Sequence, residues 1–386
     1  MTDAEPAASG VLIAGVSTRA LAVSAARSGY RVTAVDAFGD LDLREVGNVI
    51  TLRGDHGAQF SPGKAVSAVE AIVAGMVAYT SNFENHPDAV TRLATRRKLL
   101  GNAAAVLVRV RDPINLMRVL RRRGFATPET RATPMRGQPT QGSWLLKPRR
   151  SGGGHGTVVW RIGQPVPRTH YLQERIAGIP GSVVFAADGR HAAPLGLSRQ
   201  LVGDARFGAS GFRYCGSLIG PGLFPDEEEL LVRTAQLATS VTREFGLIGL
   251  NGIDFIARDG VPYPIEVNPR YCASMELIER AQGVSIFEMH AQACQGILPA
   301  PPPRATAVQG KAIVFARRAV TMGDTRRWVG NGSLADVPQP GERIRRGHPI
   351  CTVFAQGSNV VACRTRLEAR AARVYRISQS RKRRAA

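Results

Sequence analysis

Near the N-terminus, apolar runs alternate with small and polar stretches in the pattern of a β-α-β unit. VLIAG at 11–15 predicts a strand, residues 18–28 predict a helix, and RVTAVDAF at 31–38 predicts a second strand. A helix between two strands makes them parallel, so the pattern predicts an α/β domain. Asp36 invites a dinucleotide-binding interpretation, but the loop GVSTRA lacks the G-x-G-x-x-G pattern. The loop still offers candidates for holding an anion at the helix N-terminus, namely Ser17, Thr18 and Arg19.

A second polar loop follows a strand predicted at Met76–Tyr79. Its sequence, SNFENHP, places Ser81–Phe83 and Glu84 at the carboxyl end of that strand. Open α/β sheets bind ligands at this edge. A ligand-binding loop and a plain turn fit the pattern equally well, and both stay open.

Further along the chain, strands of alternating polarity are joined by tight turns, which predicts antiparallel β-structure. Strands are expected at YLQERI, SVVFAAD and APLGLSRQL. An amphipathic helix over 226–245 begins with an acidic turn that suits the positive end of its dipole. The glycine-rich stretch 203–223 predicts a mobile or ligand-facing loop. Arg199 and Gln200 close a strand and are candidates for reaching a phosphate.

A glycine-rich turn at 152–156 follows a strand that carries Lys147. Glycines let backbone N–H groups approach and cradle phosphate oxygens. A lysine on the preceding strand adds a positive charge on the same phosphates. No G-K-[ST] leads into a helix, so this is not a Walker A loop. The sequence predicts a phosphate-binding hairpin, in which His155 is a loop residue rather than a catalyst.

Polar residues with a more specific spacing lie on two strands predicted within 249–276. Glu266 and Asn268 share one face because they are two residues apart, and strand pairing can bring Asp254 across from them. Two carboxylates and an amide oxygen suit Mg²⁺. Arg270 adds a cation beside the same group. The hairpin therefore predicts a magnesium site, and a surface hairpin with incidental charges is the alternative.

Two residues close this stretch before a predicted helix. Ser274 and Glu276 are candidates for contact with a substrate. For Ser274, helix capping is the preferred interpretation.

The C-terminal quarter begins with a proline-rich stretch, LPAPPPRA, which predicts a linker. KAIVFARRAV and PGERIRRGHPICTVFA then predict a small β-rich domain that ends in a helix near 366–373. The basic residues 376–386 predict a solvated, disordered tail.

Composition narrows the class of protein. The 386 residues, 44% of them apolar, allow two or three domains with sizeable cores. No apolar run approaches the roughly 20 residues of a transmembrane helix, and the start MTDAEPAASG does not resemble a signal peptide. The five cysteines form no C-x-x-C pair, which predicts reduced thiols, a cytoplasmic location and no membrane partner.

The formal charge of +21 raises nucleic-acid binding as a hypothesis. The arginines are dispersed, however, and no basic stripe interleaved with aromatic residues is present. Small molecules that carry phosphate are therefore the expected partners, and nucleic acid is not.

The K-P-(x)₃-G-G-G-x-G loop and the D-(x)₁₁-E-x-N-x-R hairpin together resemble the ATP-grasp superfamily of ligases. The chain looks similar to carboligase-like members and to the branch of biotin carboxylase and purine biosynthesis. This resemblance implies an α/β and α+β fold in three parts. A pre-ATP-grasp Rossmann-like domain would span 1–95. A central ATP-grasp fold of two antiparallel sheets would span 96–300, with a lid at about 127–190, and a small β-rich C-terminal domain would span 305–375.

The resemblance also implies roles for individual residues. Lys147 would bind phosphate, Arg270 would stabilise the phosphoryl group or an acyl-phosphate, and Arg199 would be a further cationic contact. Asp254, Glu266 and Asn268 would hold one or two Mg²⁺, with Mn²⁺ as an alternative ion. ATP would be bound by Lys147 together with Gly152, Gly153, Gly154, Gly156, Gln173, Glu174, Arg175, Ile176 and Ser182.

Two positions depart from the pattern of the family. Many relatives have a lysine where the segment Arg111–Pro113 stands, so Arg111 is a candidate stand-in. Ser182 stands where relatives often have a ribose-binding acid, which puts ribose recognition in doubt.

The chemistry implied is activation of a carboxylate by the γ-phosphate of ATP, followed by attack of an amine on the acyl-phosphate. Such chemistry needs charge neutralisation and positioning more than a strong base. A bicarbonate-using carboxylase-like enzyme and a nucleotide-binding protein without turnover stay open as alternatives. Each of these three functions is compatible with a homodimer. The sequence identifies neither the carboxylate nor the amine.

Overall fold

The computed structural model describes residues 10–52, 55, 59–133, 137 and 139–379. Its N-terminal part contains a five-stranded parallel sheet. The strands are β1 (Gly10–Ala14), β2 (Arg31–Asp36), β3 (Gly47–Thr51), β4 (Met76–Tyr79) and β5 (Lys98–Leu100). They lie in the order β3-β2-β1-β4-β5. The predicted parallel β-α-β start is confirmed.

Asp36 lies beside the first loop and binds Thr18. Its carboxylate accepts hydrogen bonds from the backbone N–H and the hydroxyl of Thr18, at 2.7 and 2.8 Å. Arg19 is 5% exposed and pairs with the carboxylates of Asp336 and Glu276. The side chains of Thr18 and Arg19 are therefore bound within the protein and are not free to hold an anion, whereas the expectation for Ser17 stays a prediction.

A small antiparallel sheet of four strands follows. Its strands are β6 (Thr130–Arg131), β7 (Trp144–Pro148), β8 (Val158–Trp160) and β9 (His170–Glu174). They lie in the order β6-β9-β7-β8. The small sheet ends at Glu174. The predicted lid range of about 127–190 reaches further and includes a strand that belongs to the next sheet.

A large antiparallel sheet forms the centre of the described chain. Its strands are β10 (Ile179–Asp188), β11 (Ala192–Val202), β12 (Tyr214–Ile219), β13 (Ile248–Arg258), β14 (Val261–Asn268), β15 (Val308–Phe315), β17 (Leu334–Ala335) and β19 (Pro349–Gly357). They lie in the order β14-β13-β10-β11-β12-β15-β19-β17. A separate pair joins β16 (Val320–Thr321) and β18 (Arg343–Ile344). The two antiparallel sheets expected of the fold are thus confirmed.

The C-terminal β region continues the large sheet, because β15 pairs with β12 and with β19. Continuous pairing leaves no sheet boundary between the predicted central and C-terminal domains, and their bounds stay a prediction. The last helix spans Val360–Gln379, longer than the predicted 366–373, so it includes the first residues of the predicted tail. The rest of that tail, 380–386, lies outside the described residues.

Helices cover both faces of the large sheet. The α-helices in the described ranges are α1 (Arg19–Arg27), α2 (Leu41–Arg44), α3 (Pro62–Ala68), α4 (Pro87–Leu93), α5 (Ala104–Val110), α6 (Pro113–Arg122), α7 (Glu227–Phe245), α8 (Met275–Gln282), α9 (Ile286–Ala293) and α10 (Val360–Gln379). Along β10, Val183 and Phe185 pack into the core under α7, whereas Val184 and Ala186 face the core that contains α8 and α9. Strand periodicity requires this alternation.

The described residues bear on the expectations about membrane-spanning helices and cysteines. Within the described ranges, no helix is both long and apolar enough to cross a membrane. All five cysteines lie in those ranges and are free thiols.

Candidate active site

A cavity of about 360 Å³ lies between the small sheet and the large sheet. Its size falls within the range of small-molecule sites. The strand carrying Lys147 and the loop that follows it line one side, and β13 and β14 line the other. The two motifs that are about a hundred residues apart in the sequence therefore face one space.

The acidic side of this cavity is a pair of carboxylates on neighbouring strands. Asp254 of β13 is the register partner of Glu266 of β14, and a bulge follows because Phe255 pairs with Pro264. The bulge places one extra residue, Ile265, next to Glu266. Bulges re-aim side chains beside functional sites, and here both carboxylates line the cavity.

Amide side chains hold Asp254 in place. Gln200 Nε2 donates to Asp254 Oδ1 at 2.9 Å, and Asn268 Nδ2 donates to Asp254 Oδ2 at 3.1 Å. The carboxamide oxygen of Asn268 accepts a hydrogen bond from Arg270 at 3.2 Å. The predicted metal ligands are thus linked to each other and to the arginine.

The two carboxylates have opposite pKa shifts. Burial raises the pKa of Asp254 to about 7, and the negative charge of Glu266 adds to the increase. Although burial opposes it, the positive charges of Arg111, Lys147 and Arg270 hold the pKa of Glu266 below its usual value. Two acids in one site oppose each other's ionisation, so near neutral pH the pair holds a proton that an isolated carboxyl would have lost.

Three cations surround this pair. Lys147 Nζ donates to Gln173 Oε1 at 3.0 Å. Arg111 lies 3.5 Å from Glu266 Oε2 and donates to the carbonyl oxygen of Val267 at 2.9 Å. Arg270 is 11% exposed, and the charge of Glu84 raises its pKa against the effect of partial burial. Fixed positive charge in a partly dry cavity suits an anionic ligand.

The glycine-rich loop lies against the segment before β12. Gly153 accepts a hydrogen bond from the N–H of Tyr214 at 3.0 Å. Gly154 has a φ of +75°, and a Cβ there would lie 1.8 Å from the carbonyl oxygen of Phe212. This close approach explains why the sequence has glycine at that position. Gly152, Gly153 and Gly154 line the cavity, whereas Gly156 packs against the ring of Pro148 and is not among the lining residues.

The end of β9 and the following residues form another wall, made of Gln173, Glu174, Arg175 and Ile176. Gln173 is buried and donates to the carbonyl oxygen of Ile265 at 3.3 Å, which ties the small sheet to the large one. Ser182 also lines the cavity, opposite Asp254 in the strand register. Its hydroxyl lies close enough to the Asp254 carboxylate to oppose the rise in the pKa of that group.

Arg199, which was expected to contact phosphate, is not among the residues that line the cavity. It lies on the same face of β11 as Leu197 and Leu201, whose side chains pack in the core on the other side of the sheet. Burial and the nearby charge of Arg364 lower its pKa. Its neighbour Gln200 lines the cavity instead, since adjacent strand residues point to opposite faces.

Two other expectations change at the edge of the site. Ser274 directly precedes α8 but makes no side-chain cap hydrogen bond, so the preferred capping role is wrong. Its side chain lines the cavity instead. The stretch 203–223 is partly a strand, and its Tyr214 and Ser217 line the cavity with a hydrogen bond of 2.8 Å between their hydroxyls. No local signal in the sequence identified these two hydroxyls.

The donor set fits Mg²⁺ and a nucleotide. Among the described residues no group of three or more His, Cys, Asp or Glu side chains is arranged for a metal ion. A cation at Asp254, Glu266 and Asn268 would therefore depend on two carboxylates and one amide oxygen, a partial set that leaves room for phosphate oxygens.

Known proteins resemble this chain in one domain and in the overall fold. Residues 110–274 match the family model described as an ATP-grasp domain. An uncharacterized protein of Methanocaldococcus jannaschii is 30% identical over 118 residues, which are 30% of this chain and 28% of that protein. The chain thus matches less than a third of the length of the curated relatives.

Solved structures match over nearly the whole chain. N5-carboxyaminoimidazole ribonucleotide synthetase from Thermus thermophilus has 19% identity and a TM-score of 0.68, covering 96% of this chain and 98% of that one. Biotin carboxylase from Campylobacter jejuni has 14% identity and a TM-score of 0.68, covering 90% and 87%. L-amino acid ligase from Bacillus licheniformis has 15% identity and a TM-score of 0.66, covering 94% and 96%. The expected resemblance is confirmed: the chain contains an ATP-grasp domain within a fold that it shares with these three proteins.

Proposed function

We propose that this chain is an ATP- and Mg²⁺-dependent ligase that activates a carboxylate of a small metabolite for attack by an amine. The observation that carries the proposal is the single cavity in which Asp254, Glu266 and Asn268 face Lys147 and the glycine-rich loop. The acidic hairpin alone, or Lys147 with the glycine-rich loop alone, is a common arrangement of charges. Together they provide separate positions for metal-bound and lysine-bound phosphate oxygens.

The chain's own residues supply charge and orientation. Bound ATP would supply the phosphoryl group, and Mg²⁺ on the acidic pair would neutralise part of its charge. Lys147 and the N–H groups of the loop would hold phosphate oxygens. Arg270, kept in place by Asn268, would face the negative charge that develops during transfer to the carboxylate. Closure of the loop against Phe212 and Tyr214 would limit the access of water.

A screen of metabolite pools for ADP formation tests this proposal. We expect ADP release that needs both a carboxylate and an amine, and that falls by at least roughly 100-fold in Glu266→Ala. Asp324→Asn is a matched control, because Asp324 is exposed and pairs with Arg326 on the surface. Absence of ADP with every pool, for a folded protein that binds MgATP, would favour nucleotide binding without turnover.

A bicarbonate-using carboxylase-like enzyme is the second candidate. It is favoured by the whole-chain similarity to a protein named biotin carboxylase and to one named N5-carboxyaminoimidazole ribonucleotide synthetase. Incorporation of labelled bicarbonate into an acid-stable product separates the two candidates. If ADP release needs bicarbonate and no other carboxylate, the first proposal is wrong in its substrate class.

A further inference from the structure

A carboxylate from the N-terminal sheet region reaches the candidate active site. Glu84 lies on the 3₁₀ turn Phe83–Asn85, which follows β4, and its side chain is 1% exposed. Arg270 Nε donates to Glu84 Oε1 at 2.9 Å, and the same oxygen lies 2.8 Å from a terminal nitrogen of Arg270. The two residues are 186 positions apart in the sequence.

The remaining contacts of Arg270 fix the orientation of its guanidinium group. One terminal nitrogen donates to the carbonyl oxygen of Tyr271 at 2.9 Å, and the other donates to Asn268 Oδ1 at 3.2 Å. The guanidinium plane is therefore held between Glu84 and a predicted metal ligand. Its position along the cavity wall depends on the Glu84 carboxylate.

The same turn also contacts the opposite side of the cavity. Asn85 Oδ1 accepts from Arg111 at 3.0 Å, and Asn85 Nδ2 donates to the carbonyl oxygen of Ser151 at 3.3 Å. Arg111 also lines the cavity, and Ser151 precedes the glycine-rich loop. A short turn outside the matched family region thus contacts both halves of the site.

Stability alone does not account for the ion pair. A buried ion pair commonly contributes little net stability, because desolvation offsets the attraction. Glu84 keeps one buried oxygen, Oε2, without a hydrogen-bond partner among the described residues, which adds to that cost. An arrangement that costs stability beside a reaction site points to a role in positioning.

We propose that Glu84 is a positioning residue that acts through Arg270 and holds its guanidinium in the orientation needed to contact the transferred phosphoryl group. This inference rests on the proposed function. It predicts a loss in turnover with little change in the affinity for MgADP. It also predicts that Glu84 is without effect once Arg270 has been removed.

A double-mutant cycle tests this coupling. Glu84→Gln keeps the size of the side chain and removes its charge, and we expect kcat to fall about 100-fold, as for a misplaced catalytic group. The KM for ATP should stay within about threefold, since the phosphates already bound by the loop are not affected. In the Arg270→Ala background, the second change should alter kcat by less than about threefold.

Glu70→Gln is the matched control for the cycle. Glu70 lies in the same N-terminal region and pairs with Arg92, at 2.6 Å, but both side chains are more than half exposed. Its kcat should equal that of the wild type. If the losses of Glu84→Gln and Arg270→Ala multiply in the double variant, Glu84 acts independently and the inference is wrong.

A binding measurement gives a readout besides turnover. Beryllium fluoride added to MgADP occupies the position of the transferred phosphate, so calorimetry can measure how much it tightens ADP binding. Glu84→Gln and the milder Glu84→Asp should lose most of that increment and keep the affinity for MgADP alone. An unchanged increment in both variants, with unchanged melting temperatures, overturns the inference. An increment that is absent in the wild type overturns the proposed function, and the inference with it.

Discussion

Replacement of Asp254 by asparagine should remove the pH dependence that we expect of cation binding at the proposed metal site. Burial and the facing charge of Glu266 raise the pKa of Asp254 from 3.8 to about 7. This rise in the pKa corresponds to a difference on the order of 4 kcal/mol between the two protonation states. A cation must bind the deprotonated form, so metal binding displaces a proton below pH 7.

The size of the effect follows from this pKa. At pH 6 about nine-tenths of the Asp254 carboxyl is protonated, and at pH 8 about one-tenth is. The apparent Kd for a divalent cation should therefore be about tenfold weaker at pH 6 than at pH 8. In the metal-free protein, the free energy of unfolding changes with pH in the opposite direction. Because the folded pKa lies above the unfolded one, the contribution of Asp254 is full below about pH 4 and is lost as the pH rises towards 7.

Mn²⁺ is a suitable probe, because the electron paramagnetic resonance of free Mn²⁺ measures its binding directly. We expect the tenfold change in the wild type. A much weaker and nearly pH-independent affinity is expected in Asp254→Asn, and wild-type behaviour in Asp324→Asn. Equal wild-type affinities at pH 6 and pH 8 would show that the two carboxylates do not share a proton. The raised pKa of Asp254 would then be the wrong basis for predicting how cation binding depends on pH.

Two further changes test the walls of the cavity. Gly154→Ala should weaken MgATP binding by about tenfold, because its Cβ would meet the carbonyl oxygen of Phe212 at a positive φ. Gly163→Ala is the control, since Gly163 also has a positive φ but faces open space, and it should leave the affinity unchanged. Calorimetry measures both affinities. Lys311→Met should lower the free energy of unfolding by about 3–5 kcal/mol in urea titration, because it leaves the buried carboxylate of Glu276 with one partner fewer. A loss below about 1 kcal/mol would mean that Arg19, the other cation paired with Glu276, compensates this carboxylate by itself.

Local patterns were sufficient for some of the site. The spacing of Glu266 and Asn268 predicts a shared face, because strand periodicity is a local property, and both residues line the cavity. The glycines after Lys147 predict a close backbone approach, and Gly154 makes one. The β-α-β start was predictable for the same reason, since a helix between two apolar runs requires parallel strands.

Other features depend on register and on distant partners. Arg199 and Gln200 are equally good candidates in the sequence, and a shift of one residue decides which of them faces the cavity. The pairing of β12 with β15 across the predicted domain boundary is also not encoded locally, because strand edges carry no label for their partner. Glu84 could be identified as a loop candidate, but its pairing with Arg270 is visible only once the fold brings them together.

The charges on the segment from Arg270 to Glu276 are compensated from both ends of the chain. Glu84 reaches Arg270 from the N-terminal sheet region, and Arg19 reaches Glu276 from α1. Lys311 of β15 pairs with Glu276 and donates to the carbonyl oxygen of Ala273 at 3.3 Å, in the cavity wall. Removal of one partner from a buried ion is strongly destabilising. Movement of the first part of the chain would take Glu84 away from Arg270, and movement of either part would leave Glu276 with one cationic partner instead of two. The wall beside the acidic pair is fixed by side chains outside the hairpin, which is why the spacing within the hairpin predicts its ligands but not the orientation of its arginine.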